Sequence, residues 1–267
     1  YIGMKKLYGI ECDSNLEIEF DKYILEGGFP HAVKLESFAD KRIYVKSVID
    51  EIFDKDIRKN KKIKNKELFQ TIQMFVINNF GATMSIKRIC EYLENTTKTT
   101  VRKETVYNYL SILENAKIIS KCRRFDLKSK KSLRGEEKYY LSDLSFYFCN
   151  NTDNRIEYGT VLENIIYNYA KSRGYEISIG KIGRLEVDFI VRDINMDYAY
   201  IQVARYIDNG NIDEEGINLT EEREYRPLEH IKDSYPKYVL TLDHLLQKRN
   251  GIKHENIIDV IGHEKLF

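Results

Sequence analysis

An α/β fold is predicted for this chain of 267 residues by three observations. Between Lys66 and Asp143 apolar residues recur at helical spacing three times and then alternate as two strands around a basic segment. From Gly159 to Ile207 one helical pattern is followed by three stretches of strand length. The third observation is charge: the net is +1, yet residues 41–140 hold 24 Lys+Arg against 12 Asp+Glu, and the remainder 19 against 30. Such a separation fits a phosphate-facing module beside an acidic one. The length suits about two domains. The predicted organisation is an N-terminal helical segment over 1–65, a winged helix-turn-helix module over 66–150 and a sheet domain over 151–267.

Composition narrows the class. No apolar run reaches the length of a membrane helix, and no charged-then-apolar start resembles a signal peptide. The chain begins with Tyr1 and not Met, which reads as a fragment of a longer protein. Cys12, Cys90, Cys122 and Cys149 form no close pair, which excludes a zinc ribbon, argues against a disulfide framework and points to a reducing cytoplasm. The 5 histidines lack any metalloprotease spacing, and with 3 prolines there is no sign of a long disordered linker.

The elements follow in order. Leu16 to Leu25 reads as a short amphipathic helix, broken by the elbow Glu26-Gly27-Gly28-Phe29-Pro30. From Glu36 to about Asp56, Phe38, Ile43, Val45, Val48, Ile49, Ile52 and Phe53 mark a helix. It ends in the basic run Arg58 to Lys64, a loop or a frayed helix end. Leu68, Ile72, Phe75, Val76 and Asn79 mark a helix that stops near Gly81. Ser85 then caps a second, with Ile86, Ile89, Cys90 and Leu93 inward. Arg102 to Asn115 forms a third, with Val106, Leu110 and Leu113 inward and Lys103, Tyr107, Asn108 and Ser111 outward. Lys117 to Phe125 alternates as a strand, Leu127 to Glu137 is a loop holding Lys128, Lys130, Lys131 and Arg134, and Lys138 to Leu141 returns. Three helices and a basic hairpin make the winged helix-turn-helix pattern. Its third helix would enter a major groove of double-stranded DNA and its wing would grip phosphates. The competing reading is a protein-packing module with a solvated basic surface.

In the sheet domain, Leu162, Ile165, Ile166 and Tyr169 give one helix an apolar face, with Thr160 as cap and Gly174 as stop. Tyr175 to Ile182, Leu185 to Val191 and Tyr198 to Ala204 are strands joined by turns at Gly183-Arg184 and Asn195-Met196-Asp197. Strict alternation puts Leu185, Val187, Phe189 and Val191 on one face and Glu186, Asp188 and Ile190 on the other. Thr220 caps a further helix, with Glu221 and Glu222 at its positive end and Tyr225, Leu228 and Ile231 inward. Pro236 to Asp243 has the nearly unbroken apolar centre of an internal strand. Gly251 to Phe267 supplies a last strand or short helix.

The order of a helix with Glu163, a strand with Asp188 and a strand with Gln202 resembles the core of the PD-(D/E)xK nucleases. The resemblance implies a small restriction-endonuclease-like mixed sheet flanked by helices. It also places Glu163, Asp188 and Gln202 at the three oxygen-ligand positions of a Mg²⁺ ion whose bound water attacks a phosphodiester. The lysine it implies two residues after the third ligand is here Ala204, and Gln202 is a neutral amide. Glu163 and Asp188 are therefore the metal-ligand candidates, and Lys171 and Lys181 are amines that no spacing rule selects between. The expectation is a nuclease-derived scaffold with a degenerate, inactive site. The alternatives are a working Mg²⁺-dependent DNA nuclease, or a solvated strand face carrying Glu186 and Asp188.

Five segments occur in a fixed order: Gly27-Gly28-Phe29-Pro30, Lys138-Tyr139-Tyr140-Leu141-Ser142-Asp143, Gly159-Thr160-Val161-Leu162-Glu163-Asn164, Glu186-Val187-Asp188-Phe189 and Ile201-Gln202-Val203. With them almost the whole chain resembles the C-terminal domain of unknown function that follows the AAA+ core in a large group of prokaryotic ATPases. The resemblance implies an ATPase domain N-terminal to Tyr1 that binds ATP. This chain has no Gly-x-x-x-x-Gly-Lys-Ser/Thr loop and is expected not to hydrolyse ATP. Its expected partners are double-stranded DNA or a protein, and its own AAA+ domain, with no membrane. A structural regulatory or oligomerisation domain is the remaining alternative.

Overall fold

The computed structural model describes residues 1–59, 63–98, 100–149, 157–207, 212–213 and 217–267, with the side chains at 53, 56–59, 97 and 134 outside the described set. Part of the basic run Arg58 to Lys64, the side chain of Arg134 and the boundary expected at 150/151 therefore lie outside the described residues. The architecture is mixed α/β. Chain contacts group residues 1–121 with 138–156 and residues 122–137 with 157–267. Among the described residues no helix is long and apolar enough to cross a membrane.

The first unit is mainly helical: α1 (Ile2–Leu7), α2 (Leu16–Glu26), α3 (Pro30–Val33), α4 (Phe38–Lys59), α5 (Lys66–Asn78), then the short β1 (Thr83–Met84), α6 (Ile86–Thr97) and α7 (Lys103–Asn115). The hairpin β2 (Ile119–Asp126) and β3 (Lys131–Leu141) follows, and α8 (Ser145–Phe148) closes the unit. Side-chain oxygens fix the helix starts: Asn15, Asn65 and Ser85 accept from the N–H groups of Glu17, Leu68 and Arg88. Gly27 leaves α2 at φ 75°, and a Cβ there would lie 2.1 Å from Asp143 Oδ1. Only glycine fits this elbow. The Asp143 carboxylate accepts from Gly28 N at 2.7 Å, Ser145 N at 2.9 Å and Ser145 Oγ at 2.6 Å. Burial raises its pKa, with the Ser145 and Gly28 bonds opposing. The core joins Phe69, Ile72, Val76 and Ile77 of α5 to Ile89 and Leu93 of α6 and to Val106, Leu110 and Leu113 of α7. Within the hairpin, Asp126 Oδ1 accepts from Lys128 N and Ser129 N, and Lys130 adopts φ 53°. This side-chain turn reverses the chain within four residues, so the expected loop shrinks and Lys131 to Glu137 belong to β3.

The second unit takes the tip of that hairpin together with α9 (Tyr158–Ser172), β4 (Glu176–Ile182), β5 (Leu185–Arg192), β6 (Tyr198–Val203), α10 (Leu219–Glu229), β7 (Lys237–Thr241), β8 (Lys248–Arg249), β9 (Ile252–Asn256) and α11 (Ile257–Gly262). Its strands lie in the order β2-β4-β5-β6-β7-β9-β8. The pairs β2–β4, β6–β7 and β7–β9 are parallel, and β4–β5, β5–β6 and β8–β9 are antiparallel. β7 is internal, as its apolar run predicts. Two caps differ from expectation. Asn218, not Thr220, caps α10 by accepting from the N–H groups of Thr220 and Glu221, and Thr220 is buried in the first turn. α9 starts before Thr160, at Tyr158, and its N-cap Glu157 makes no side-chain capping bond. One apolar cluster joins Val187, Ile190, Tyr200 and Val239 of the sheet to Tyr225 and Leu228 of α10, with Phe125 and Leu127 of the hairpin tip packed against it.

Candidate functional site

Asp188 owes its surroundings to an irregularity in β5. Ser178 pairs with Ile190 but Gly180 pairs with Val187, so β5 spends one residue more than β4 between these points. This is a β-bulge at Asp188-Phe189, and it reverses the alternation. Val187 and Ile190, expected on opposite faces, join the same apolar cluster against α10. Phe189 turns to α9, its ring 6.2 Å from that of Tyr167. Strict period-two reading of β5 is therefore corrected.

On the other side of β5 the ladder with β6 ends at the Phe189–Ile201 pair, and just beyond it side chains serve the backbone. Asp188 Oδ2 accepts from Val203 N at 2.8 Å, and Gln202 Oε1 accepts from Asp188 N at 3.3 Å. Both side chains are buried, so the solvated-face alternative for Asp188 is excluded. Glu163 stands half-buried in α9, which packs on β4, β5 and β6, and the next residue, Asn164, is fully buried. A hard divalent cation needs several oxygens free to converge in near-octahedral geometry. One oxygen of Asp188 and the carbonyl oxygen of Gln202 are instead engaged by backbone N–H groups. Among the described residues no group of three or more His, Cys, Asp or Glu is placed to hold a metal.

The missing amine has no evident replacement among the two lysines named from the sequence. Ala204 is buried and its N–H is bonded to the Leu240 carbonyl. Lys171 is exposed in the last turn of α9. Lys181 stands in register with Asp126 of β2 and Glu186 of β5, between two acids. Sequence reasoning passed over Arg205, immediately after Ala204, whose guanidinium lies 3.9 Å from the ring centre of Tyr158 at the start of α9. Its signal was adjacency to the expected lysine position. A second polar cluster, also missed, lies beyond β7. There buried His254 contacts Thr241 Oγ1 through Nε2 at 2.7 Å and accepts from Gln247 N through Nδ1 at 3.1 Å. Burial lowers its pKa, against the pull of Asp243 and Glu221, so the imidazole is held neutral as a clamp on the 242–247 segment.

In the first unit, α7 exposes Lys103, Tyr107 and Asn108 while Val106, Tyr109, Leu110 and Leu113 are buried. In the second, Lys128, Lys130 and Lys131 are exposed at the hairpin tip. The tip is not free on both edges, because Arg124, Phe125 and Asp126 pair with Ile179, Gly180 and Lys181 of β4. Arg124 also binds Glu136 at 2.6 Å and Glu186 at 2.9 Å.

A family model described as a domain of unknown function, DUF8612, matches residues 17–153, just over half of the chain. The chain belongs to the DUF8612 family. The matched span runs from α2 through α8 and so includes the whole hairpin. Beyond the DUF8612 match, the chain is similar to an uncharacterised protein of Haemophilus influenzae, 28% identical over 242 residues, which is 90% of this chain and 56% of that protein. It is also similar to an uncharacterised protein of Methanocaldococcus jannaschii, 26% identical over 217 residues, 80% of this chain and 48% of that protein. The DUF8612 chain thus spans about half the length of these curated relatives. No solved structure matches it.

Proposed function

We propose that this chain is the DNA- or partner-binding part of a longer prokaryotic AAA+ ATPase, with the three helices of a winged helix-turn-helix in its first unit, the tip of the wing in its second, and a nuclease-derived, catalytically inert sheet in that second unit. The observation that carries the reading is α7: its inner face is fully packed while Lys103, Tyr107 and Asn108 stand exposed on one helix. A helix of this kind, preceded by two others and followed by a hairpin, is the reading element of winged helix-turn-helix proteins. On the second unit, the exposed lysines of the hairpin tip are a separate, sequence-independent attraction for phosphates. For the second unit, the run α9-β4-β5-β6-α10-β7 fits the nuclease resemblance in element order. The amide at 202, the alanine at 204 and the engaged side chain of Asp188 support an inert site. Relatives about twice as long leave room for the ATPase part.

The test is fluorescence anisotropy with a labelled duplex across a salt series. Weak binding without strong sequence preference is expected, falling steeply with salt because counterion release dominates. Replacing Lys103, Tyr107 and Asn108 together by alanine should weaken it about tenfold or more at low salt. Wild-type protein that does not bind duplex at low salt would leave partner docking as the role of α7.

A further inference from the structure

The Arg205 guanidinium lies against two aromatic rings of the second unit, 3.9 Å from the centre of Tyr158 and 5.2 Å from that of Tyr206. Arg124, Arg173, Arg192, Arg223 and Arg249 of the same unit pair with glutamates. Among the described residues no carboxylate pairs with Arg205, and its side chain is exposed. Its backbone is fixed, the carbonyl accepting from Leu242 N at 2.9 Å, so the segment leaves β6 in a set direction. Tyr206 is 40% exposed, a large aromatic surface left open to solvent beside a cation. A guanidinium stacked on a ring keeps its planar edge of N–H donors free, and that edge matches the two oxygens of a phosphate. An exposed aromatic face beside it offers a stacking surface that accepts any unpaired base.

We infer that Arg205, Tyr158 and Tyr206 form a binding platform for single-stranded nucleic acid, with Arg205 on a backbone phosphate and Tyr206 stacking the adjacent base. A duplex buries its base faces, so the platform discriminates strand state and not sequence. It lies on a different unit from α7 and stands without the duplex-binding proposal. The geometry assigns Tyr158 a positioning role: its ring holds the guanidinium plane.

The experiment uses the full chain and two labelled probes, an oligothymidylate and a duplex of equal length, at low and moderate salt. R205A and Y206A should each weaken oligothymidylate binding about tenfold, in line with the loss of one stacked base or one charged contact, and leave duplex binding unchanged. R205K keeps the charge but loses the planar fork and should fall between R205A and wild type. Y158L, which keeps an apolar contact without the ring, should weaken oligothymidylate binding severalfold with thermal unfolding unchanged. The α7 triple variant should show the opposite selectivity, losing duplex and keeping oligothymidylate binding. Oligothymidylate affinity unaffected by R205A, or wild-type protein that ignores the oligothymidylate, overturns the proposal whatever the duplex probe does.

Discussion

Gly180 has no space for a methyl group: a Cβ there would lie 2.9 Å from Val187 Cβ and 3.2 Å from Ile190 Cγ1, the two residues the bulge brings onto one face. Gly180→Ala must push apart a packed strand pair, so a loss of about 1–3 kcal/mol is expected, read as a lowered urea midpoint with unchanged slope. Unchanged stability would mean that the bulge relaxes freely. A glycine inside a strand was the one trace of the bulge in the sequence. The rest was hidden, because alternation is counted within one strand and a bulge exists only relative to a partner. Glu19 illustrates the same limit for charge. It is 1% exposed in the first turn of α2, bonded by Lys5 Nζ at 2.9 Å, Lys22 Nζ at 3.2 Å and Asp13 N at 2.9 Å. Burial alone would raise its pKa, but the Asp13 N–H and the two ammonium groups outweigh it and hold the carboxyl at about 2, below its ordinary 4.5. The folded state thus binds this proton more weakly than the unfolded chain. Its stabilising contribution is complete above pH 4.5 and is lost as pH falls toward 2. Denaturation of wild type and Glu19→Gln should differ most near neutral pH, with the gap narrowing below pH 4.5 and closing only toward pH 2; a constant gap would reject the ion pair as the cause.

Periodicity located most helices and strands because each buries one continuous face: α2, α5, α6, α7, α10 and β7 lie close to where spacing put them. Inward residues such as Leu110, Leu113, Tyr225 and Leu228 are buried as expected. Element ends were harder to read. Thr220 and Thr160 are good capping residues, yet Asn218 already serves the N–H groups at the start of α10, and α9 begins two residues before Thr160. The two-residue β8 carries no period at all, and its place depends on Arg249, whose guanidinium binds Glu221 at 3.2 Å, Glu222 at 2.6 Å and Glu229 at 2.8 Å on α10. The paired strands β5 and β6 make a prediction of their own. Since Asp188 and Gln202 serve the backbone of the strand pair, incubation with plasmid or single-stranded DNA and Mg²⁺ or Mn²⁺ should give no more cleavage than an Asp188→Ala control. The substitution should instead lower stability by about 1–3 kcal/mol, the cost of leaving the buried Val203 N–H without an acceptor. Metal-dependent nicking abolished by Asp188→Ala and by Glu163→Ala would restore the nuclease reading.

Across the whole chain, sequence order and spatial grouping part company at the hairpin. Residues 122–137 lie between stretches of the first unit in sequence but belong with 157–267 by contact. They supply the strand beside β4 and two apolar side chains, Phe125 and Leu127, packed on the second unit's cluster. No local pattern announces this, since parallel pairing between residues some 55 positions apart leaves no periodic trace. A fragment of residues 157–267 alone would expose the β4 edge and lose that packing, and open strand edges recruit other chains. Such a fragment is expected to aggregate or to unfold at lower temperature than a version in which the 119–141 hairpin is fused to it. Size-exclusion chromatography with thermal unfolding decides the matter, and a monodisperse, equally stable fragment would sink the expectation.

The same strand constrains inheritance. The family match ends at 153, yet the span it covers carries, well inside its own sequence, the strand that pairs with β4 and two side chains packed against the apolar cluster of the sheet that follows. A recombination event that joined residues 17–153 to an unrelated sheet would deliver a hairpin cut for the wrong partner. One that moved the sheet alone would leave it open along β4. Substitutions at Phe125 and Leu127 should accordingly be compensated within the cluster they cover, at Val187, Ile190 or Tyr225, in DUF8612 proteins that keep both parts, so that the two halves descend as a matched pair.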